Sequence, residues 1–149
     1  MPTFAARVVV EITPAQTHQL RLAVLRHDVP TKEVVFAEDD MPGAVHLGVT
    51  IGGELVAVSS WIPRPYRDAP AVQLRGMATA HAFQGTGLGG LLLAAGCARA
   101  ASAGHHIVWA RARNAALSFY ERHGFVVDGD GFIDAATKLP HHVVSRHIP

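Results

Sequence analysis

Four glycines, Gly85, Gly87, Gly89 and Gly90, stand at the mouth of the most helical stretch of the chain. Leu88, Leu91, Leu92 and Ala95 recur there at positions i, i+3, i+4 and i+7. That spacing predicts a helix over 87–103, with Gly104 as its stop. Just upstream, residues 71–79 alternate in character as a half-buried strand does. Strand, glycine turn and helix therefore follow one another directly. Glycines at a helix start permit positive φ, let backbone N–H groups converge, and remove side chains that would block a ligand. The helix N-terminus adds partial positive charge. The arrangement points to a phosphate or pyrophosphate site; the plain alternative is an ordinary glycine-rich turn.

Gly85, Gly87 and Gly90 also satisfy G-x-G-x-x-G. A dinucleotide-binding unit needs an acidic residue about 20 positions on, at the end of the next strand. Here that strand is Ile107-Val108-Trp109-Ala110 and runs into Arg111, with no acid near it. No Lys-Ser or Lys-Thr follows the glycines, which excludes a Walker loop.

The remaining elements read as an α/β sequence. Arg7 to Ile12 is a strand, and Thr13, Pro14 and Gln16 form a capping box that opens a helix ending near Asp28 to Pro30. Residues 31–44 read as a loop with room for one helical turn. Val45 to Ile51 and Leu55 to Ile62 are strands joined by a Gly52-Gly53 hairpin turn. Asn114 to His123 is a helix; Phe125 to Val127 and His142 to His147 are strands. The 149 residues suit one domain over 1–149, and 49% hydrophobic content is enough for a core. A net charge of +1 offers no field for nucleic acid or an anionic membrane, and no run is long and apolar enough for a span. A single cysteine, Cys97, and no evident secretory leader suit the cytoplasm.

Two blocks carry a family resemblance. Met77-Ala78-Thr79 followed by Gln84-Gly85-Thr86-Gly87-Leu88-Gly89 resembles the coenzyme A motif of the GNAT superfamily of N-acetyltransferases. Ala116 with Phe119-Tyr120-Glu121-Arg122-His123-Gly124-Phe125 is similar to that family's A-x-x-x-Y-x-x-x-G-F segment, in the expected order. Leu139-Pro140-His141 resembles the G-I-P-H-like end of one branch. The resemblance implies a mixed, mostly antiparallel central sheet with flanking helices, whose parallel strands four and five splay apart to admit pantetheine. It implies acetyl-CoA as cosubstrate, with no metal, and transfer of the acetyl group to a small-molecule or peptide amine. Met77, Ala78 and Thr79 would meet pantetheine through main-chain groups, Gln84 to Gly89 would hold the pyrophosphate, and Tyr120 would protonate the thiolate or orient the sulfur. Many members place Asn where this chain has Arg113, with Asn114 one residue later. The cofactor contact falls to Arg113, facing a phosphate, or to Asn114, unless Asn114 caps the helix. The family also makes a homodimer possible.

Direct attack on a thioester needs a neutral amine, an oxyanion donor and a proton for the thiolate. The amide near Ala78 or Thr79 is the expected donor. The fourth strand offers Gln73 and Arg75 but no carboxylate, which leaves His46, Glu38, Asp39, Asp40 and His141 as candidate bases. Glu38-Asp39-Asp40 either attracts a cationic amine or is a solvated loop. Cys97 reads as core, His105-His106 and His141-His142 point to opposite faces and make no chelate, and Trp61 and Trp109 read as core or cleft wall. A coenzyme A-binding sensor without turnover is the alternative function.

Overall fold

Thr13 closes the first strand and opens the first helical segment, and the residues there show why. Its Oγ1 accepts from the Gln16 amide at 3.3 Å, and Gln16 Oε1 accepts from the Thr13 amide at 2.8 Å. This reciprocal box satisfies two amides that a helix start leaves orphaned. The computed structural model describes residues 5–149; residues 1–4, on which the reading of the leader and the first part of the 1–149 domain rest, lie outside this range. After β1 (Arg7–Ile12), a 3-10 turn (Pro14–Thr17), α1 (His18–Leu20) and a π-helical turn (Arg21–Leu25) form one continuous helical segment. A 3-10 turn over Ala37–Asp40 follows, then β2 (Val45–Ile51), β3 (Glu54–Pro63) and β4 (Val72–Thr79). The long helix is α2 (Leu88–Ser102), followed by β5 (Ile107–Arg113), a 3-10 turn (Asn114–Ala116), α3 (Leu117–Arg122), β6 (Val126–Ile133) and β7 (Pro140–His147).

The strands form a seven-stranded sheet in the order β1-β2-β3-β4-β5-β7-β6. Every neighbouring pair is antiparallel except β4 and β5, which run parallel. Their pairing is confined to Val72 opposite Val108 and Gln73 opposite Trp109. Beyond that point β4 runs on to Thr79 and β5 to Arg113 without pairing to each other. Each keeps its outer partner: Ala78 still faces Val58 on β3, and Arg113 still faces His141 on β7. The sheet is therefore split from its middle. The register of β3 and β4 also slips by one residue between Val58 and Ser60, which places a bulge in β4 at Gly76. Gly76 has φ +60, and a Cβ there would come within 3.0 Å of Arg21 Nε, so both backbone and space require glycine.

β5 and β6 extend farther than the hydrophobic pattern indicates. Arg111 and Arg113 break the apolar run, yet both stay in the ladder because β7 pairs with them through Val143 and His141. Tertiary pairing here overrides local composition. The main core lies under α2 and α3, where Leu88, Leu92, Leu93 and Cys97 meet Leu47, Trp61, Val72, Leu74, Val108 and Val144. Burial raises the Cys97 thiol, so it is inert packing. Among the described residues, no helix is long and apolar enough to cross a membrane.

The opposite face of the sheet holds a buried polar network. Arg21 forks onto Asp39 with contacts of 2.7 and 2.9 Å and donates to Ser60 Oγ at 2.8 Å and the Val34 carbonyl at 2.8 Å. His46 touches Ser60 Oγ at 2.7 Å and the Asp39 carbonyl at 3.0 Å. The network ties the 26–44 loop to the sheet. Burial pushes the Asp39 carboxyl up, but the Arg21 fork outweighs it and holds it below its ordinary 3.8. A depressed carboxyl stabilises the fold fully above pH 3.8 and progressively less as pH falls through its folded value. Asp39→Asn leaves the Arg21 charge unpaired and is expected to cost about 3–5 kcal/mol at neutral pH. Urea melts across pH should show that loss, together with a shallower decline of stability in acid than in the parent.

Candidate active site

The split in the sheet opens a cavity of about 260 Å³. Gln73 to Met77 of β4 form one wall and Arg111 to Arg113 of β5 the other, with Tyr120 of α3 at one end. Leu25, Arg26 and Phe36 close it from the helical side; Asp134, Thr137 and His141 close it from the β6–β7 connection. Ala80 donates to the Val56 carbonyl at 2.8 Å. Main-chain direction alternates along a strand, so Ala78 also faces β3, whereas Thr79 faces the opening. This removes the Ala78 amide as an oxyanion donor and leaves the Gly76–Met77 bulge and the Thr79 amide as the main chain available to an extra strand; the Thr79 carbonyl is taken by Gln84.

The glycine turn lies past the end of β4. Gly87 has φ +93 and is the N-cap of α2, with no side-chain cap. The first amide bonded to this turn is Leu91, at 3.2 Å from the Gly87 carbonyl. Among the described residues, no protein acceptor meets the amides of Leu88, Gly89 and Gly90. They form a ready anion cradle at the positive end of a 15-residue helix. The bare Cα of Gly89 has a second cause: a Cβ there would lie 2.9 Å from Phe119 Cζ, so α3 packs directly on the helix start. Gln84 Nε2 donates to the Thr79 carbonyl at 3.0 Å, and Thr86 Oγ1 donates to the Phe83 carbonyl; both side chains shape the turn. Arg7 of β1 donates to the Thr86 carbonyl, bringing a cation to the turn across 79 residues of sequence. No local pattern marks Arg7; only the sheet brings it there.

Tyr120 is buried and packs edge-on against Phe119 and Phe125, each at 5.3 Å between ring centres. Burial pushes its phenol up to about 12. It therefore keeps its proton across the neutral range. Arg113 does not face the glycine turn. Its Nη2 donates to the Leu25 carbonyl at 2.6 Å, linking β5 to the helical segment beside β4. Nor does Asn114 cap a helix: its Oδ1 accepts from His142 Nδ1 at 2.7 Å, and the turn that starts there has no side-chain cap. The side chain is drawn to β7 because β7 pairs with β5 through His142 and Ala112.

Of the candidate bases, only His141 lines the cavity. Both ring nitrogens of His46 are engaged, Asp39 is locked to Arg21, and Asp40 is exposed outside the cavity. Glu38 pairs with Arg75 and lies 4.0 Å from Arg64. The acidic cluster is thus largely neutralised and offers no lure for a cation. His141 Nδ1 lies 2.9 Å from the Leu139 carbonyl. A carbonyl only accepts, so Nδ1 carries a hydrogen, and in the neutral ring Nε2 is then the acceptor nitrogen. Phe132 stacks on the ring at 5.8 Å. Asp134 was not legible as a site residue. Burial pushes its carboxyl up, but donors from Thr137 and Ala136 and the charge of His141 bring the net value below 3.8. Among the described residues, no cluster of His, Cys, Asp and Glu is placed to hold a metal.

The model of the acetyltransferase (GNAT) domain matches residues 30–127. The chain belongs to the GNAT family. The N-acetyltransferase YitI of Bacillus subtilis, itself uncharacterized, is 29% identical over 124 residues, covering 81% of this chain and 83% of that protein. An acyl-CoA N-acyltransferase from Pseudomonas aeruginosa superposes with a TM-score of 0.78 at 22% identity, covering 95% of this chain and 99% of that one. FeeM, an N-acyl amino acid synthase from uncultured soil microbes, gives 0.83 at 12% identity, with 97% and 92% covered. At such identities the structural likenesses speak for the fold, and they confirm the GNAT sheet with its parallel β4 and β5. Members of the family generally use acetyl-CoA or another acyl-CoA. Gly87→Ala places a side chain at φ +93, a strain of about 1–3 kcal/mol at the cradle. Calorimetry should show acetyl-CoA bound at least ~5-fold more weakly with an unchanged circular dichroism spectrum.

Proposed function

We propose that this GNAT protein transfers an acetyl group from acetyl-CoA to a primary amine by direct attack within a ternary complex. The observation that carries the reading is the continuity of the site: unbonded amides at the start of α2 lead along the exposed edge of β4 into a cavity ending at Tyr120 and His141. An elongated ligand with an anionic end fits this shape. The diphosphate would lie on Leu88, Gly89 and Gly90, and pantetheine would pair with the main chain near Thr79 as an added strand. The cosubstrate supplies an activated acyl carbon with a thiolate leaving group.

The chain's own groups supply the remainder. His141 Nε2 takes a proton from the acceptor amine, and Asp134 stabilises the resulting charge. The nitrogen forms the C–N bond and the C–S bond breaks. The bulge at Gly76–Met77 offers main-chain donors for the developing oxyanion. Tyr120 hydrogen-bonds the departing sulfur. With its phenol near 12, it stabilises the thiolate as a donor and gives up no proton of its own in the neutral range. A sensor that binds coenzyme A without turnover remains the alternative, but the orientation of His141 favours catalysis.

Tyr120→Phe should lower kcat ~100-fold and move the KM for acetyl-CoA by less than about threefold. His141→Gln should lower kcat/KM about 100-fold, while no limb from Tyr120 should appear up to about pH 10. Thiol release with an amine panel measures both. Tight acetyl-CoA binding with no thiol release from any amine would instead establish the sensor.

A further inference from the structure

Resting on that transfer reaction, we infer that the acceptor is a small amine that also carries an anionic group, a carboxylate or phosphate monoester, received by Arg75 and Arg111. Four arginines, Arg26, Arg75, Arg111 and Arg113, line the cavity, against one acidic residue, Asp134. The hydrogen bonds of these arginines leave most of that charge unanswered. Arg26 donates to the Glu33 carbonyl at 2.9 Å and Arg113 to the Leu25 carbonyl, both neutral groups. Arg75 has Glu38, which Arg64 also approaches. Arg111 has no hydrogen bond or ion pair among the described residues; its guanidinium lies 5.9 Å from the Trp109 ring.

The positive charges repel one another. Burial, then Arg21, Arg111 and Arg26, bring the Arg75 guanidinium down to about 10. Phe36 fixes the geometry, its ring lying 3.9 Å from the Arg21 guanidinium and 4.3 Å from that of Arg75. A purely cationic acceptor is repelled from such a wall. A molecule with both charges is drawn in and oriented: its anion meets the guanidiniums on β4 and β5, and its amine meets Asp134 and His141. The diphosphate does not account for these arginines. Arg75 lies before the bulge in β4, whereas the unbonded amides lie past the end of that strand.

The test uses the full chain with acetyl-CoA and matched acceptors. α-Amino acids from glycine to phenylalanine are compared with their carboxamides, phosphoethanolamine with ethanolamine, and putrescine serves as a dication. The anionic member of a pair should show a kcat/KM ~10-fold or more above its neutral partner; which pair responds separates carboxylate from phosphate. Arg111→Gln, at an exposed position, should remove that preference through the acceptor KM and leave the acetyl-CoA KM unchanged, and Arg111→Glu should shift preference toward putrescine. A preference for amides or putrescine in the parent, or one for anions that survives both Arg111→Gln and Arg75→Gln, overturns the inference and leaves the transfer reaction standing. Acetyl-CoA binding with no turnover of any amine removes the transfer reaction and this inference with it.

Discussion

The site exists because two neighbouring strands stop bonding to each other after their first residues. Main-chain amides and carbonyls in a protein interior must find partners, and a parallel pair normally supplies them. Here β4 and β5 share only their first residues, at Val72–Val108 and Gln73–Trp109, and then diverge. Each is held on its outer side by antiparallel pairing, β4 to β3 and β5 to β7. The sheet can therefore open in its middle without unravelling. What it exposes is an internal strand edge, lined by a bulge and ending at a helix start whose amides are also unbonded. Sheet, glycine turn and helix then form a single polar track.

The rigidity of the walls comes from a different source. On the helical side, the Arg21–Asp39 fork, extended through Ser60 and His46, pins a loop that has only one short turn of its own. That loop delivers Phe36 to the cavity, where the ring lies against the guanidiniums of Arg21 and Arg75. Buried ion pairs are weak stabilisers compared with apolar packing of the same volume. This one positions a wall. On the other side, the Asp134–Thr137 turn shapes the connection into β7 and places Asp134 on the same cavity as His141. The neutralisation of Glu38 and Asp39 by arginines reverses the electrostatics that the acidic run suggests, and the cavity emerges basic.

Much of this was legible in the residues. The capping box at Thr13, the strands over 45–51 and 72–79, the glycine turn and the α2 stripe are local patterns set by dihedral preference and side-chain period, and each emerges where those rules place it. The family resemblance marked Tyr120, which lines the cavity while its neighbour Phe119 packs on Gly89. What was illegible depended on contacts between distant segments. The true length of β5 came from pairing with β7, the engagement of Asn114 from the approach of His142, and the roles of Arg7, Asp134 and Arg113 from partners far along the chain.

By itself, the order of residues determined which segments are strands and helices and where a glycine turn opens the long helix. Both follow from interactions within a few residues: φ freedom at glycine, caps, and periodic burial. Only the folded chain decided which titratable groups face the cavity and what sign of charge it carries. Those properties depend on distances between side chains whose separation along the chain says nothing about their separation in space. Burial also changes what each of them is worth, as Tyr120 and Arg75 show in opposite directions.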